Sequence, residues 1–244
     1  MGSTRFPGKP LANILGKPMI ERVWHIATAV PSASRVVVAT DDIHLKNKVE
    51  GFGGEAQLTS SDCKTGTDRV AEAARLMGYT DGIFINLQGD APLTPPSLIE
   101  EMIQVMVQDP LVPMATAACL ADGMQGTKVV FDKKNNALYF SKAEIPHHRN
   151  SDEKKIYRHI GLYAYRFATL QKLSSLEESP LEKAEKLEQL RALENGISIK
   201  VVTFDLSGKK QASVDYLEDI AIVEEILLQE KFPPMGLFRS SICR

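Results

Sequence analysis

Cysteine is scarce: three residues in 244, at positions 63, 119 and 243. They lie far apart and none forms a Cys-x-x-Cys pair, which argues against a disulfide framework or a zinc ribbon and for cytosolic thiols. No stretch approaches the roughly 18 apolar residues of a membrane span, and no signal-peptide pattern follows Met1. The chain therefore reads as soluble and cytoplasmic. An excess of either charge is missing too, the formal net charge being −2. That balance removes the usual reason to expect sequence-independent binding to nucleic acid or to an anionic membrane. An anionic ligand must then be held by a few placed cations. What is present is an ordinary globular composition, 43% hydrophobic and 25% charged. The length suits one large domain or a core with a sub-domain, and needs no staples to bury a core.

Hydrophobic patterning predicts an α/β chain. Residues 1–17, studded with Gly, Pro and Lys, read as a loop rather than a buried element. Pro18 then opens a helical pattern carrying Met19, Ile20, Val23, Trp24, Ala27 and Val30. Residues 35–40 form a short apolar run ending in Asp41 and Asp42, the look of a central parallel strand, and Asp42 is placed to cap a helix closing near Gly51–Gly54. Val70–Met77 reads as helix, Ile83–Leu87 as a second buried strand running into Gln88-Gly89-Asp90, and Pro95 and Pro96 start a helix through Val107. This rhythm predicts a mostly parallel, Rossmann-like sheet with right-handed crossovers, its ligands at the carboxyl ends of the strands. After residue 113 come short strands at 114–119, 128–131 and 137–140, with a hairpin turn over 132–136. Residues 113–180 thus read as an inserted β-rich sub-domain between a first part (1–112) and a return to the core (181–230). Ser179-Pro180-Leu-Glu182 supplies an N-cap, an N1 proline and a capping-box glutamate for a single helix ending at Asn195-Gly196. A strand over 197–204, a helix capped by Asp215-x-x-Glu218 and a loose tail over 231–244 complete the reading.

Several residues can carry chemistry. A tight Gly/Ser/Thr loop ahead of a helix can cradle phosphate, with Arg5 and Lys9 to neutralise it, although an ordinary solvated N-terminus fits the composition equally. It is not a P-loop, because five residues separate Gly2 from Gly8 and Pro10 follows Lys9. Asp90, at the end of a central strand, suits Mg²⁺ or a simple turn. Asp215 reads first as a helix cap. In Thr65-Gly66-Thr67-Asp68-Arg69, Thr67 or Asp68 can cap a helix, and Arg69 can read a base or phosphate. His147-His148-Arg149 reads as a solvated turn, since no third metal ligand stands at sensible spacing. The strand pattern around His159 puts it on one face with Gly161 and Tyr163, a face that either packs in the core or meets a ligand.

Together these segments resemble the 3-deoxy-manno-octulosonate (KDO) cytidylyltransferases. The resemblance rests on residues 2–11, Val38–Asp41, Gly66–Arg69, Asn86–Asp90, Ala137–Ser141, His159–Tyr163, Pro180–Glu182 and Leu187–Arg191, in the family's order. It implies transfer of CMP from CTP to the anomeric hydroxyl of KDO or 8-amino-KDO, with release of pyrophosphate, for lipopolysaccharide synthesis. By family position, Lys9, Asp90 and Asp215 are catalytic, and Asp90 and Asp215 bind Mg²⁺. Ser3, Thr4, Arg5, Lys9, Gly66, Thr67, Asp68, Arg69 and Gln88 hold the nucleotide. His159, Tyr163, Glu188 and Gln189 face the sugar acid, with Arg149 a partner for its carboxylate. The resemblance also implies a homodimer.

Two departures qualify this. The family has an apolar strand ending Pro-Ala-Arg just ahead of the loop, so either the true start lies upstream or this form, with two strands left unpaired, folds poorly and is inactive. The family's Gln-Gly-Asp-Glu-Pro and Val-Asp-Thr-Pro read Gln88-Gly-Asp-Ala91-Pro and Val214-Asp-Tyr216-Leu217 here, an alteration that points to shifted sugar specificity. The alternatives are a sialic-acid-type cytidylyltransferase, against which the wording Thr4–Lys9 argues, and a non-catalytic homologue that keeps the fold.

Overall fold

The computed structural model describes residues 6–121, 125–149, 155–206 and 213–231. Its opening segment is more ordered than its glycine and proline content suggests. A 3-10 turn at Lys9–Leu11 leads into a hairpin of β1 (Asn13–Ile14) and β2 (Lys17–Pro18), followed by α1 (Met19–Thr28). Gly8 starts the turn at φ 74°, where a side chain would be strained. Ile14 is fully buried against Met19, Val214 and Val223. Arg22 donates to the carbonyls of Ile14 and Leu15, and Glu224 accepts from the Leu15 N–H. For its described part, residues 6–17, this corrects the expectation of an unburied loop over 1–17: one apolar side chain and two charged anchors hold it.

The strand–helix alternation follows, with one strand more than the periodicity predicts, β4: β3 (Val37–Thr40), α2 (Ile43–Gly51), β4 (Glu55–Leu58), α3 (Gly66–Leu76), β5 (Ile83–Asn86) and α4 (Pro96–Gln108). Asp42 caps α2 by accepting from the N–H groups of His44 and Leu45. Strands β3 and β4 are parallel.

Parallel pairing does not dominate, however. After β6 (Met114–Leu120), β7 (Lys128–Phe131) and β8 (Ala137–Ser141), the long β9 (Tyr157–Arg166) runs antiparallel to β5, β6 and β7. β10 (Ile199–Thr203) is parallel to β6. The sheet is therefore mixed, in the order β10-β6-β9-β7-β8 with β5 also on β9. The cause is that β9 follows an antiparallel hairpin instead of a helical crossover. Strands β6 and β9 share this sheet with β5 and β10. Around Thr116 the β6–β9 register slips by a bulge.

The chain then adds α5 (Phe167–Ser175), α6 (Pro180–Glu185), α7 (Gln189–Glu194) and α8 (Asp219–Lys231). The Ser179–Glu182 capping box forms as expected. The single helix expected beyond it does not, because Lys186 turns left-handed at φ 56° and splits it into α6 and α7. The tail reading falls on residues outside the description.

Candidate active site

Two groups of residues gather at the carboxyl ends of β3 and β5. In the first, the Lys9 ammonium lies 2.5 Å from Asp90 Oδ2 and 3.8 Å from Asp215 Oδ1. The Val214 N–H donates to the Asp90 carbonyl at 3.0 Å, which fastens the segment carrying Asp215 beside the end of β5. Asp215 does not cap α8, contrary to the sequence reading. Instead, Asp219 in the first turn of α8 accepts from the N–H groups of Asp215 and Tyr216 just ahead of the helix, and the Asp215 carboxylate faces Lys9. Two carboxylates around a shared cation, one 30% and one 51% exposed, form an all-oxygen donor set suited to Mg²⁺, which needs one or two carboxylates plus phosphate oxygens.

The second group surrounds the N-terminus of α3. Thr65 caps it, and Asp68 closes the capping box by accepting from the Thr65 N–H. A Cβ on Gly66 would stand 3.4 Å from Gln88 Oε1 and 3.5 Å from Asn86 Nδ2, so glycine lets these amides lie against the helix end. Gln88 Nε2 donates to Asn86 Oδ1. Arg69 donates to Thr59 Oγ1 at 2.7 Å and to Asp41 Oδ2 at 3.1 Å, tying α3 to the ends of β3 and β4. The Thr67 hydroxyl turns inward to Tyr165, 3.0 Å away. Of the residues assigned to the nucleotide, Gly66 and Gln88 meet, whereas the side chains of Thr67, Asp68 and Arg69 are engaged within the fold. Ser3, Thr4 and Arg5 lie outside the described residues.

Four of the five residues assigned to the sugar converge nearby. The Tyr163 hydroxyl donates to Gln189 Oε1 at 3.1 Å, and its ring centroid is 5.4 Å from that of His159. His159 Nε2 is 2.8 Å from Thr116 Oγ1. The Thr116 hydroxyl proton goes to the Leu162 carbonyl at 2.9 Å, so Nε2–H is the donor to Thr116 and Nδ1 keeps its lone pair. Burial pushes the His159 pKa down to about 3, so the ring is neutral near pH 7 and contributes hydrogen bonds rather than charge. The buried Gln189 Nε2 has no acceptor among the described residues, so one donor of this group stays open. Arg149 is exposed on the loop after β8.

Glu188 accepts from the Thr65 hydroxyl at 3.2 Å, and burial pushes its carboxyl above the ordinary 4.5. The folded protein therefore holds this proton more tightly than the unfolded chain. Its stability falls as pH rises through 4.5 towards the folded pKa, then levels off. Glu188→Gln should accordingly gain stability over the parent as pH rises from 4.5 to 7.5. Urea midpoints at the two pH values check this; the same difference at both would refute it.

Thr65 and Thr116 went unassigned in the sequence. The capping-box spacing Thr65-x-x-Asp68 is a signal for the first. Nothing local marks Thr116, whose role depends on the bulge in β9.

A family model described as "Cytidylyltransferase" matches residues 1–200. The chain belongs to that family. Among curated relatives, the 3-deoxy-manno-octulosonate cytidylyltransferase of Maricaulis maris is 50% identical over 94% of both chains. The 8-amino-3,8-dideoxy-manno-octulosonate cytidylyltransferase of Shewanella sediminis is 43% identical over 93% of this chain and 94% of its own. A solved CMP:2-keto-3-deoxy-manno-octonic acid synthetase in complex with CTP superposes with a TM-score of 0.88 at 39% identity, covering 94% of this chain and 95% of that one. The family relationship that the sequence motifs suggest is thereby established, and with it the α/β fold.

Proposed function

We propose that this chain transfers CMP from CTP to the anomeric hydroxyl of KDO, releasing pyrophosphate, with Mg²⁺ held by Asp90 and Asp215. The observation that carries the reading is the Asp90–Lys9–Asp215 group at the strand ends, in a fold so close to that of a CTP complex. Phosphoryl transfer asks a protein mainly for positioning and charge neutralisation. Lys9, only 14% exposed, supplies a positive charge beside the two aspartates where the phosphates would lie. Gly66 and Gln88 present a small, amide-lined recess for base and ribose. Tyr163, Gln189 and neutral His159 offer hydrogen bonds to the hydroxyls of a sugar acid. Bound Mg²⁺ would lower the pKa of the attacking hydroxyl and screen the phosphate charge.

A second substrate, 8-amino-KDO, has a specific observation in its favour: relatives named for it are 43–45% identical to this chain. Ala91 and half-exposed Tyr216, the two departures beside the aspartates, are the first positions to exchange in testing that choice. A cytoplasmic homodimer serving lipopolysaccharide synthesis completes the reading. Leu138, 62% exposed on β8 at one end of the sheet path, supports a subunit contact there.

Pyrophosphate release with CTP and Mg²⁺, offering KDO, 8-amino-KDO and a sialic acid in parallel, tests the proposal. Turnover with KDO is expected. CTP at about 100 times its Kd should also stabilise the chain by about 2.7 kcal/mol in thermal unfolding. Neither turnover nor stabilisation would favour a non-catalytic homologue.

A further inference from the structure

All of β6 from Met114 to Cys119 is buried, and Thr116 carries the one hydroxyl of this strand, at 0% exposure. Valine has nearly the same shape and suits a buried strand as well, so packing alone does not call for threonine here. A buried hydroxyl without partners is costly, and the groups it bonds are therefore informative.

Both of its partners belong to β9. The register of β6 on β9 breaks between Thr116, opposite Tyr163, and Ala117, opposite Ile160, so Gly161 and Leu162 have no opposite residue on β6. Bulges of this kind re-aim side chains. Here Thr116 Oγ1 lies 2.9 Å from the Leu162 carbonyl oxygen and 2.8 Å from His159 Nε2. Two oxygens at that distance need a proton between them, and a carbonyl has none to give. The hydroxyl proton therefore points to Leu162, and the Thr116 oxygen can only accept from the ring. The opposite tautomer would set the Nε2 lone pair against the lone pairs of that oxygen. Which ring nitrogen carries the proton is thus decided by the bond at the other end of the ring.

Neighbouring rings complete the hold. Phe140 stands edge-on to His159 with centroids 5.1 Å apart, and Tyr163 lies tilted at 5.4 Å. The Tyr163 hydroxyl is itself directed to Gln189 Oε1. No partner of His159 Nδ1 is found among the described residues, and the residue is not closed off from solvent. With the ring neutral, Nδ1 presents a lone pair and no proton. A group that meets it must bring its own proton. A hydroxyl or an ammonium does so, whereas a carboxylate only accepts and is repelled.

We propose that Thr116 is a positioning residue for the sugar acid: it locks His159 with Nδ1 as an acceptor, so that the ring takes a hydroxyl of the substrate and turns the carboxylate away. The role in turnover rests on the proposed function, in which His159 faces the sugar. The tautomer does not rest on it.

Nitrogen NMR of histidine-labelled protein reads the tautomer directly. The chain has five histidines, and the His159→Gln spectrum identifies the resonances of this one. In the parent protein near pH 7, Nε2 should carry the proton, and adding KDO should shift the Nδ1 resonance saturably while Nε2 keeps it. Thr116→Val, which has no oxygen to accept, should populate both tautomers. It should also raise KM for KDO at least about tenfold, the worth of one hydrogen bond, with kcat and KM for CTP changed less than about threefold. Thr116→Ser restores the hydroxyl and should return both the tautomer and the KM. Thermal unfolding of the variants is followed alongside, and if Thr116→Val does not fold, the parent spectrum and its response to KDO decide. A parent ring protonated at Nδ1, an Nδ1 resonance indifferent to KDO, both KM values rising alike, or Thr116→Ser behaving as Thr116→Val overturns the proposal. No turnover of any sugar by the parent would strike the proposed function and this role with it. Turnover of KDO by a parent whose ring is protonated at Nδ1 would strike the role alone.

Discussion

Asp90→Asn is expected to lower kcat/KM for CMP transfer by on the order of 10³, which corresponds to about 4 kcal/mol of transition-state stabilisation. Of the two aspartates beside Lys9, Asp90 is the closer, at 2.5 Å, and its backbone carbonyl anchors the segment that carries Asp215. Asparagine keeps the size and that backbone bond while removing the charge. The fold should survive, because the Asp90 side chain is partly exposed and pairs of this kind contribute little to stability. Pyrophosphate release over a range of Mg²⁺ concentrations, with thermal unfolding alongside, checks both halves. The loss should be smallest at high Mg²⁺ if Asp90 serves metal binding. A loss below tenfold with unaltered Mg²⁺ dependence would return Asp90 to the role of a turn residue.

Arg191→Met should be the most damaging single change to stability away from the site. Arg191 makes a bidentate ion pair with Glu182, at 2.8 Å and 2.6 Å, and both side chains are under 10% exposed. Glu182 also accepts from the Ser179 N–H that opens α6, and Arg191 donates to the carbonyls of Leu173 and Leu176 at the end of α5. Removing the arginine strands a buried carboxylate, a change that costs about 3–5 kcal/mol. For a chain of this size that is a fall in Tm of roughly 6–20 °C. The double variant with Glu182→Gln should recover part of the loss, because no charge is then left unpaired. Urea unfolding of the three proteins measures this, and a double variant as unstable as the sum of the singles would sink the argument. Since α7 also begins with Gln189, next to Glu188, the single variant should raise KM for the sugar acid as well.

Much of this was legible in the residues. Asp42, Ser179 and Glu182 cap helices because caps need only a short polar side chain and a few neighbouring N–H groups, a matter settled within four residues. The hairpin turn between β7 and β8 follows likewise, with Asp132 accepting from the N–H groups of Lys134 and Asn136. The order of residues 6–17 is not legible in the segment because its anchors, Arg22 and Glu224, lie outside it. The helix over 180–195 was misread because Lys186 is an ordinary helix former, and only the packing of Leu187 and Leu190 into the core dictates the break. The spacing of Asp215 to Glu218 suggests a cap, whereas its carboxylate faces Lys9 and its N–H is held by Asp219.

The sequence by itself determined most of the local elements, the caps at Asp42 and Ser179–Glu182 and the membership in a family, since each rests on short-range spacing or on ordered motifs. The tertiary structure alone decided that the sheet is mixed and that Lys9, Asp90 and Asp215 share one charge cluster across 206 residues of chain. It alone decided that Thr67 and Arg69 are engaged within the fold. Strand direction, ion pairing and burial depend on which distant segments meet. That choice is made by the free energy of the whole packed core, not by any one stretch of it.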